Sequence, residues 1–451
     1  MPDSNNTAAL GGFDQAAINA ALARAGAGAV DWQTKGYPVN LPATTLAQLG
    51  TLGLNVLRGD TPYPVAVILQ SAVDHNGKWM AQFLAHTGAE LMPHGKTTMS
   101  PQLFARQAEN GCWGLTVATI QQAVVAAESG CRRILMANQM VSRADVLGAI
   151  ALLARHPDLT FWSYVDSPVG ARRLHDLATA AGFAGKLRVL LEVGLIGGRT
   201  GCRSLQQVQA TIAAVIDCRA RLSLEGLACF EGLIHTSDAA ADERQVGAFL
   251  DFLTEAAIAA DRHEAFGGDE VLLTAGGSAY FDMVARRFAE IRLSKKTRVV
   301  IRSGCYLTHD SHYYDDIFDR LQDRIPVAWR SMGRLRPALF VWSMVQSRPE
   351  PGLAILTMGK RDASFDIDLP KPVLHYRPGD DAQPHPAPAD WSVKGMNDQH
   401  AYLTIGDGED LRVGDLVCCG ISHPCTTFDR WRVIYLVDDN WSVTGGIGTQ
   451  F

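Results

Sequence analysis

The first segment whose residue types could do chemistry is Pro93-His94-Gly95-Lys96-Thr97. It directly follows a short apolar run that predicts a β-strand. In barrels of alternating strands and helices, the active site lies at the C-terminal ends of the strands. Lys96 is therefore a candidate catalytic residue. An ordinary solvated lysine is the alternative interpretation, which position alone leaves open.

Two glycine-containing segments, Leu273-Thr274-Ala275-Gly276-Gly277-Ser278-Ala279 and Arg302-Ser303-Gly304-Cys305-Tyr306, could hold a phosphate group. Each follows a predicted strand, and the loops after the last two strands of a barrel often bind phosphate through backbone N–H groups. Ser278 and Tyr306 add hydroxyl donors. Most Gly-Gly-Ser turns are only turns, so the prediction depends on the combination of both loops with Lys96.

A fourth segment, Ser422-His423-Pro424-Cys425-Thr426-Thr427, contains two potential metal ligands. Residues i and i+2 of an extended segment point to the same side, so we expect His423 and Cys425 to face one ion. A nitrogen and a thiolate favour zinc over magnesium or calcium. A buried cysteine beside a structural histidine is the alternative, and it is the commoner meaning of an isolated His-x-Cys.

The elements that must position these residues form a repeating pattern. Eight apolar runs, from Glu90–Met92 to Arg298–Ile301, alternate with amphipathic stretches such as Leu205–Asp217. This predicts an α/β fold with a (β/α)8 TIM-type barrel, and a doubly wound sheet is the structural alternative. After about Asp315 the helical periodicity gives way to short β-type runs, which predict a second, mostly β C-terminal domain.

The domain boundaries follow from this change of pattern. We place an N-terminal extension, with an extended segment (62–70) that joins the β domain, at residues 1–73. The barrel takes residues 74–315. The β domain, with the His423–Cys425 pair, takes residues 316–451.

Composition excludes several classes of function. A formal net charge of −6 and the lack of a basic run argue against nucleic-acid binding. No apolar stretch approaches the ~20 residues that cross a bilayer, and the N-terminus does not read as a secretory signal. We therefore expect a cytoplasmic protein without a membrane partner. The nine cysteines include no Cys-x-x-Cys pair, so a four-cysteine zinc site is not expected.

Taken together, the segments resemble the D-serine dehydratase and D-threonine aldolase group of fold-type III pyridoxal 5′-phosphate (PLP) enzymes. This group shares its barrel-plus-β-domain build with alanine racemase. The resemblance extends from about Thr61 to Arg432. Its most specific stretches, in family order, are His94-Gly95-Lys96-Thr97, Gly114-Leu115-Thr116-Val117-Ala118-Thr119, Ala137-Asn138-Gln139, Gly198-Arg199-Thr200-Gly201 and His423-Pro424-Cys425-Thr426.

The resemblance implies a role for each matching residue. Lys96 would bind PLP as a Schiff base and then act as the base at the substrate's Cα. Arg199 would lie near the pyridine ring and its phenolic oxygen, and Gln139 would also contact the cofactor. The implied phosphate cradle is Gly276, Gly277, Ser278, Gly304, Cys305 and Tyr306, and the implied metal pair is His423 and Cys425.

The sequence departs from the family at one catalytic motif. Where the family commonly has Tyr-x-Gly-His, this chain has Phe230-Glu231-Gly232-Leu233. Phe230 lacks the hydroxyl, and His235 lies two positions beyond the expected histidine. Gly194 also stands where an acidic residue is common. These departures leave the orientation of the substrate open.

The metal ligands indicate the reaction within the group. In this group, dehydrating members tend to have His-x-Cys and cleaving members His-x-Asp. Cys425 therefore favours a PLP- and zinc-dependent ammonia-lyase (dehydratase) that converts a D-3-hydroxy amino acid, such as D-serine or D-threonine, to a 2-keto acid and ammonia. Mn²⁺ or another divalent ion is the alternative metal.

Two other functions stay open. One is a metal-dependent D-threonine aldolase that gives glycine and an aldehyde. The other is a non-catalytic PLP carrier or regulator, although such proteins usually lack the β domain and the metal pair. A racemase would need a tyrosine opposite Lys96, for which the sequence offers no candidate. Relatives with this fold generally dimerise, which implies a homodimer.

Overall fold

A computed structural model of the protein describes residues 11–236 and 238–451. The helices are α1 (Gln15–Gly26), α2 (Gln70–Thr87), α3 (Pro101–Glu109), α4 (Ile120–Glu128), α5 (Arg143–Arg155), α6 (Pro168–Ala180), α7 (Leu205–Asp217), α8 (Ala239–Arg262), α9 (Phe281–Ala289), α10 (Tyr313–Arg324) and α11 (Pro424–Phe428). The strands are β1 (Ala29–Val30), β2 (Thr44–Thr45), β3 (Val65–Leu69), β4 (Glu90–Leu91), β5 (Leu115–Val117), β6 (Arg133–Gln139), β7 (Thr160–Val165), β8 (Leu187–Glu192), β9 (Leu222–Ala228), β10 (Glu270–Ala275), β11 (Lys296–Ile301), β12 (Leu339–Glu350), β13 (Leu353–Leu356), β14 (Lys371–Tyr376), β15 (His385–Pro386), β16 (Ser392–Met396), β17 (Ala401–Thr404), β18 (Leu416–Gly420), β19 (Val433–Val437) and β20 (Val443–Gly448).

The chain divides into two compact units. The barrel unit contains the described part of residues 1–18 together with residues 81–96 and 107–304. The β unit contains residues 19–80, 97–106 and 305–451. No helix in the described parts of the chain has both the length and the apolar character needed to cross a membrane.

The barrel unit is built on eight parallel strands in the order β4-β11-β10-β9-β8-β7-β6-β5. The two outer strands meet through a parallel bridge between His94 and Thr116 and through the Trp113 N–H, which donates to the Leu91 carbonyl at 2.8 Å. The sheet is therefore a nearly closed barrel. The barrel prediction is confirmed, and the doubly wound alternative is wrong.

Large side chains fill the interior of the barrel. One cluster of buried residues takes side chains from the six strands β6 to β11, two of them from β7, and one from the residue that follows β4: Met92, Leu135, Trp162, Tyr164, Leu190, Ala228, Leu272 and Val300. Such layers of side chains make the centre of a barrel a packed core, so a ligand must bind at one of its ends.

Local sequence signals determine where the barrel helices begin and end. Ser142, Ser167 and Ser204 each precede a helix, and each side chain accepts the backbone N–H three residues later. Gly130 and Gly182 follow helices with φ values of +95° and +68°, which glycine adopts at little cost. These signals set the bounds of the helices that lie between the barrel strands.

The β unit contains a ten-stranded sheet whose main path is β15-β14-β18-β12-β13-β17-β16. Segment 62–70, expected to be extended, contains β3, which pairs antiparallel with β12 and parallel with β19. An apolar cluster that includes Trp342, Tyr435 and Trp441 packs against this part of the sheet. The predicted mostly β second domain is confirmed.

Candidate active site

Lys96 lies in a single turn of 3-10 helix, Gly95–Thr97, that follows residues 92–94 after the first barrel strand, β4. Its neighbour His94 has a buried Nδ1 atom with no hydrogen-bond partner among the described residues. Burial holds the pKa of His94 well below its usual value, and the positive charges of Lys96, Arg302 and Arg199 lower it further. His94 is therefore a neutral imidazole with one nitrogen left for a ligand.

Gln139 and Glu192 are the last residues of β6 and β8, the two strands that pair with β7. The Gln139 amide donates to Glu192 Oε2 at 2.6 Å. Burial raises the pKa of Glu192, although hydrogen bonds from Thr200 and Gln139 act in the opposite direction. This pair fixes the Gln139 side chain, so that its Oε1 atom is left to accept a hydrogen bond.

Two arginines bring positive charge to this end of the barrel. Arg302 is only 5% exposed, and its guanidinium donates to Thr274 Oγ1 at 2.8 Å and to the Cys229 carbonyl at 2.6 Å. Both acceptors are neutral, so the charge is free to act on an anion. Arg199 is exposed, and its guanidinium carbon lies 4.5 Å from the centre of the Phe230 ring. Phe230, which lacks the family's hydroxyl, thus supports Arg199 through a cation–π contact.

The backbone N–H groups of the glycine turn after β10 donate to a carboxylate side chain of the protein itself. The N–H groups of Gly276 and Gly277 donate to the Glu231 carboxylate at 3.1 and 2.8 Å. Gly276 has φ +82°, and a Cβ on Gly277 would lie 2.9 Å from the Phe230 ring, so both positions need glycine. Ser303 Oγ donates to the Gly277 carbonyl at 3.0 Å and ties the loop after β11 to this turn.

Glu231 was missed as a site residue by the sequence, although it lies inside the motif that departs from Tyr-x-Gly-His. Its carboxylate occupies two N–H groups that were assigned to the phosphate. Ser278 and Gly304 lie in the same two loops. The phosphate role of Gly276, Gly277, Ser278, Gly304, Cys305 and Tyr306 stays a prediction.

The residues at this end of the barrel fit PLP. Lys96 supplies the amine that the cofactor's aldehyde requires. Arg302 supplies a buried positive charge for an anionic cofactor. The unpartnered Nδ1 of His94 and the buried, unpartnered hydroxyl of Tyr164, taken among the described residues, are polar atoms that a ligand would satisfy.

The β unit positions the predicted metal pair at the start of a short helix. His423 is the N-cap of α11, with φ −146° and ψ 101°, and Cys425 lies in the first turn after Pro424. The prediction of an extended segment is therefore wrong. Proline favours the first position of a helix, which turns the chain immediately after His423. Cys425 still contacts the His423 side chain.

Asp366, which the sequence did not single out, orients His423. The Asp366 carboxylate lies 2.6 Å from His423 Nδ1 and also accepts from Thr426 Oγ1 at 2.8 Å. Burial opposes protonation of His423, but contact with Cys425 and Asp366 raises its pKa overall. A histidine that gives one nitrogen to a carboxylate presents the other to a metal, so this donor set fits a divalent ion.

Other groups of the β unit lie close to the thiol. Cys425 Sγ is 3.9 Å from Cys305 Sγ and 3.4 Å from Thr97 Oγ1. Cys305 and Tyr306 form a buried 3-10 turn in this unit. A second sulfur beside Cys425 strengthens the preference of the site for a soft ion such as zinc.

Comparisons with known proteins point to the same assignment. Residues 68–312 match the family described as "Alanine racemase, N-terminal domain", and residues 338–437 match "Putative serine dehydratase domain". The 3-hydroxy-D-aspartate aldolase of Paracoccus denitrificans (strain Pd 1222) is 26% identical over 314 residues, which are 68% of this chain and 74% of that protein.

Solved structures share the fold across most of the chain. D-threonine aldolase from Filomicrobium marinum aligns with a TM-score of 0.71 and 21% identity, over 88% of this chain and 97% of that one. D-threo-3-hydroxyaspartate dehydratase from Delftia sp. HT23 aligns with a TM-score of 0.66 and 21% identity, over 88% and 99%. With its barrel, its lysine and its β domain, the chain belongs to the alanine racemase-like, fold-type III PLP enzymes, in the group of D-hydroxy amino acid dehydratases and aldolases.

Proposed function

We propose that this protein is a PLP- and zinc-dependent dehydratase that converts a D-3-hydroxy amino acid, such as D-serine or D-threonine, to a 2-keto acid and ammonia. The observation that carries the proposal is the donor pair of the β unit, in which Asp366 orients His423 beside Cys425. A thiolate selects zinc, whereas a carboxylate in its place would suit magnesium or manganese. Mn²⁺ remains the alternative ion.

Each residue of the proposed site has a separate task. Bound PLP supplies an electron sink for the α-carbon, and a bound divalent ion supplies a Lewis acid for the β-oxygen. Lys96 holds the cofactor and then takes the proton from Cα. Arg302 provides positive charge for the cofactor, and the neutral His94 offers a nitrogen for a hydrogen bond. His423 and Cys425 hold the ion.

A retro-aldol reaction is the second candidate. It is supported by the Paracoccus relative, which is a 3-hydroxy-D-aspartate aldolase, and by the fold shared with D-threonine aldolase. In this route the proton leaves the β-hydroxyl, the Cα–Cβ bond breaks, and the products are glycine and an aldehyde. The same lysine and metal pair would serve both routes, so product analysis must decide between them.

The deciding experiment follows all four products at once. Purified protein with PLP and Zn²⁺ is incubated with D-serine, D-threonine and D-threo-3-hydroxyaspartate, and keto acid, ammonia, glycine and aldehyde are measured. We expect keto acid and ammonia in equal amounts, and none from Lys96→Ala. Glycine and aldehyde would instead establish the aldolase. Undiminished dehydration after chelation of zinc would rule out the metal's role.

Asp366 gives a second test of the metal pair. Because it orients His423, Asp366→Asn should lower zinc affinity about 10–100-fold without removing a ligand. Thr426→Val is the matched control, since Thr426 donates to Asp366 Oδ1, whereas His423 Nδ1 faces Oδ2 of the same carboxylate. Equal zinc affinity in Asp366→Asn and wild type would contradict the arrangement.

We also propose that the protein is a homodimer, because relatives with this fold generally dimerise. Light scattering coupled to size-exclusion chromatography measures the mass directly. A mass of one chain, 48.8 kDa, at micromolar concentration would contradict the proposal.

A further inference from the structure

One hairpin of the β unit carries three metal-donor side chains away from the His423–Cys425 pair. His375 on β14 and His385 on β15 are direct partners in an antiparallel register. Asp381 lies in the connection between the two strands. Directly opposite residues project side chains to the same face of the sheet. One ligand atom from each of the three lies within 4.8 Å of the others.

The spacing of the two histidine nitrogens is close to that of two ligand atoms in a metal shell. His375 Nδ1 lies 3.1 Å from His385 Nε2. In a tetrahedral shell with metal–nitrogen bonds of ~2.0–2.1 Å, two ligand atoms lie about 3.3 Å apart. Asp381 Oδ2 is held by the Arg377 backbone N–H at 2.7 Å and lies 3.6 Å from Nδ1, the other ring nitrogen of His385. The exposed His385 ring or the Asp381 carboxylate must therefore rotate for all three side chains to share one ion.

A buried carboxylate prepares His375 for a metal. His375 Nε2 lies 3.0 Å from Asp415 Oδ2. The Arg377 guanidinium donates to both Asp415 oxygens, at 3.0 and 2.9 Å, and the Arg412 backbone N–H donates to Oδ2 at 2.9 Å, so this carboxylate is fixed in place. Because Asp415 faces Nε2, the other ring nitrogen of His375, Nδ1, is the one that faces His385. This is the pairing of carboxylate and histidine that commonly supports a bound metal.

Packing restrains His375, while the opposite side of the group is open. Trp391 packs edge-on against the His375 ring, with ring centres 5.4 Å apart. The side chain of His385 is 51% exposed. The charge of Arg377 is balanced by Asp415 and Asp410, so it opposes a cation less than an isolated arginine would. An ion here would keep one position for water.

We propose that His375, Asp381 and His385 form a second divalent-metal site that binds Zn²⁺. Two imidazole nitrogens and one carboxylate oxygen are a common zinc donor set, with water as the fourth ligand. The ion joins β14, β15 and their connection, and through Asp415 it also fixes the start of β18. The site stabilises the β unit and takes no part in the lyase reaction.

The test is a zinc titration in a background that lacks the first pair. In His423→Ala, calorimetry with Zn²⁺ alone should show one remaining site per chain, and zinc should raise the melting temperature. Adding His385→Ala should weaken this site at least tenfold and remove the thermal shift. Adding His263→Ala, an exposed histidine of the barrel unit, should change neither.

The variants also separate this proposal from the proposed lyase function. His385→Ala alone should keep wild-type turnover, because the site is not catalytic. Asp381→Asn, which keeps the hydrogen bond from the Arg377 N–H, should weaken the same site and checks that the loss is not a folding defect. Zinc affinity and thermal shift that are the same with and without His385 would overturn the proposal, whatever the enzyme's activity.

Discussion

Charged residues are paired with each other at one end of the barrel and buried without charged partners at the other. At the N-terminal ends of the strands, Arg298 donates to Glu270 and to Glu90, both at 2.7 Å, and Lys296 donates to Glu270 at 2.8 Å. These hydrogen bonds lower the pKa of Glu270 to about 2. Every charge in this group has a partner of opposite sign.

At the C-terminal ends of the strands, burial rather than ion pairing is the main cause of the shifted pKa values. Burial keeps the pKa of His94 low and raises the pKa of Glu192 and of Tyr164. Arg302 is buried with only neutral acceptors. The N-terminal end is arranged for stability, whereas the C-terminal end holds polar groups whose partners a ligand must supply. Perturbed groups of this kind cluster at functional sites.

The largest expected effect is at the C-terminal end. Lys96→Ala should lower kcat/KM by at least about 10²–10⁴-fold, because it removes the group proposed to bind the cofactor and to move the proton. The free energy of unfolding without PLP should change by only about 0.5 kcal/mol. Activity and PLP absorbance are read together with urea unfolding. Wild-type absorbance and turnover in this variant would place the active site elsewhere.

The second effect is the reverse, a loss of stability without a loss of activity. Arg298→Met leaves Glu270 and Glu90 without their shared partner, and should destabilise the protein by about 1–2 kcal/mol. Lys296→Met is the matched control, because its side chain is 72% exposed and should cost less than about 0.5 kcal/mol. Equal unfolding free energies for the two variants, or a large drop in kcat for Arg298→Met, would contradict the claim that the N-terminal end serves stability and the C-terminal end serves activity.

Much of the barrel follows from local sequence. The amphipathic stretch Leu205–Asp217 is predicted with the bounds that the helix has in the structure, because apolar period and flanking turns are local signals. Gly130 and Gly182, which follow helices with positive φ values, are local signals of the same kind. The candidate residues of the strand ends follow from the same signals, since knowing a strand fixes where its active-site end lies.

The missed features depend on contacts between distant parts of the chain. Strands β14 to β16 contain Pro372, Gly395 and bulges, and they form only because β18 and β17 pair with them. Asp366 and His423 are 57 positions apart, so no local pattern joins them. The His423–Cys425 motif was found, but its geometry was predicted wrongly because the start of α11 overrides the expected strand.

The pH dependence of stability tests the N-terminal end. The folded pKa of Glu270, about 2, is below its ordinary value of 4.5. Its contribution is therefore complete above pH 4.5 and is lost as the pH falls towards 2. The difference in urea midpoint between wild type and Glu270→Gln should shrink over this window. A difference that is constant with pH would show that Glu270 is not held ionised by Arg298 and Lys296.

The smallest expected effect on stability is at Glu192, at the C-terminal end, and its pH dependence is opposite in sign to that of Glu270. Burial raises its pKa above 4.5, against the effects of Thr200, Gln139 and Arg302. The folded protein then binds more protons than the unfolded chain, so this group's contribution falls as the pH rises from 4.5 through the folded pKa. Glu192→Gln keeps an acceptor for Gln139 and removes the titration, so it should gain stability relative to wild type as the pH rises across that window.

The same substitution at Glu270 should lose stability relative to wild type as the pH rises across its own window. The two variants together therefore measure whether the pH dependence of stability has opposite signs at the two ends of the barrel. If the two stability differences from wild type changed with pH in the same direction, ion pairing at one end of the barrel and burial at the other would not account for the pKa shifts.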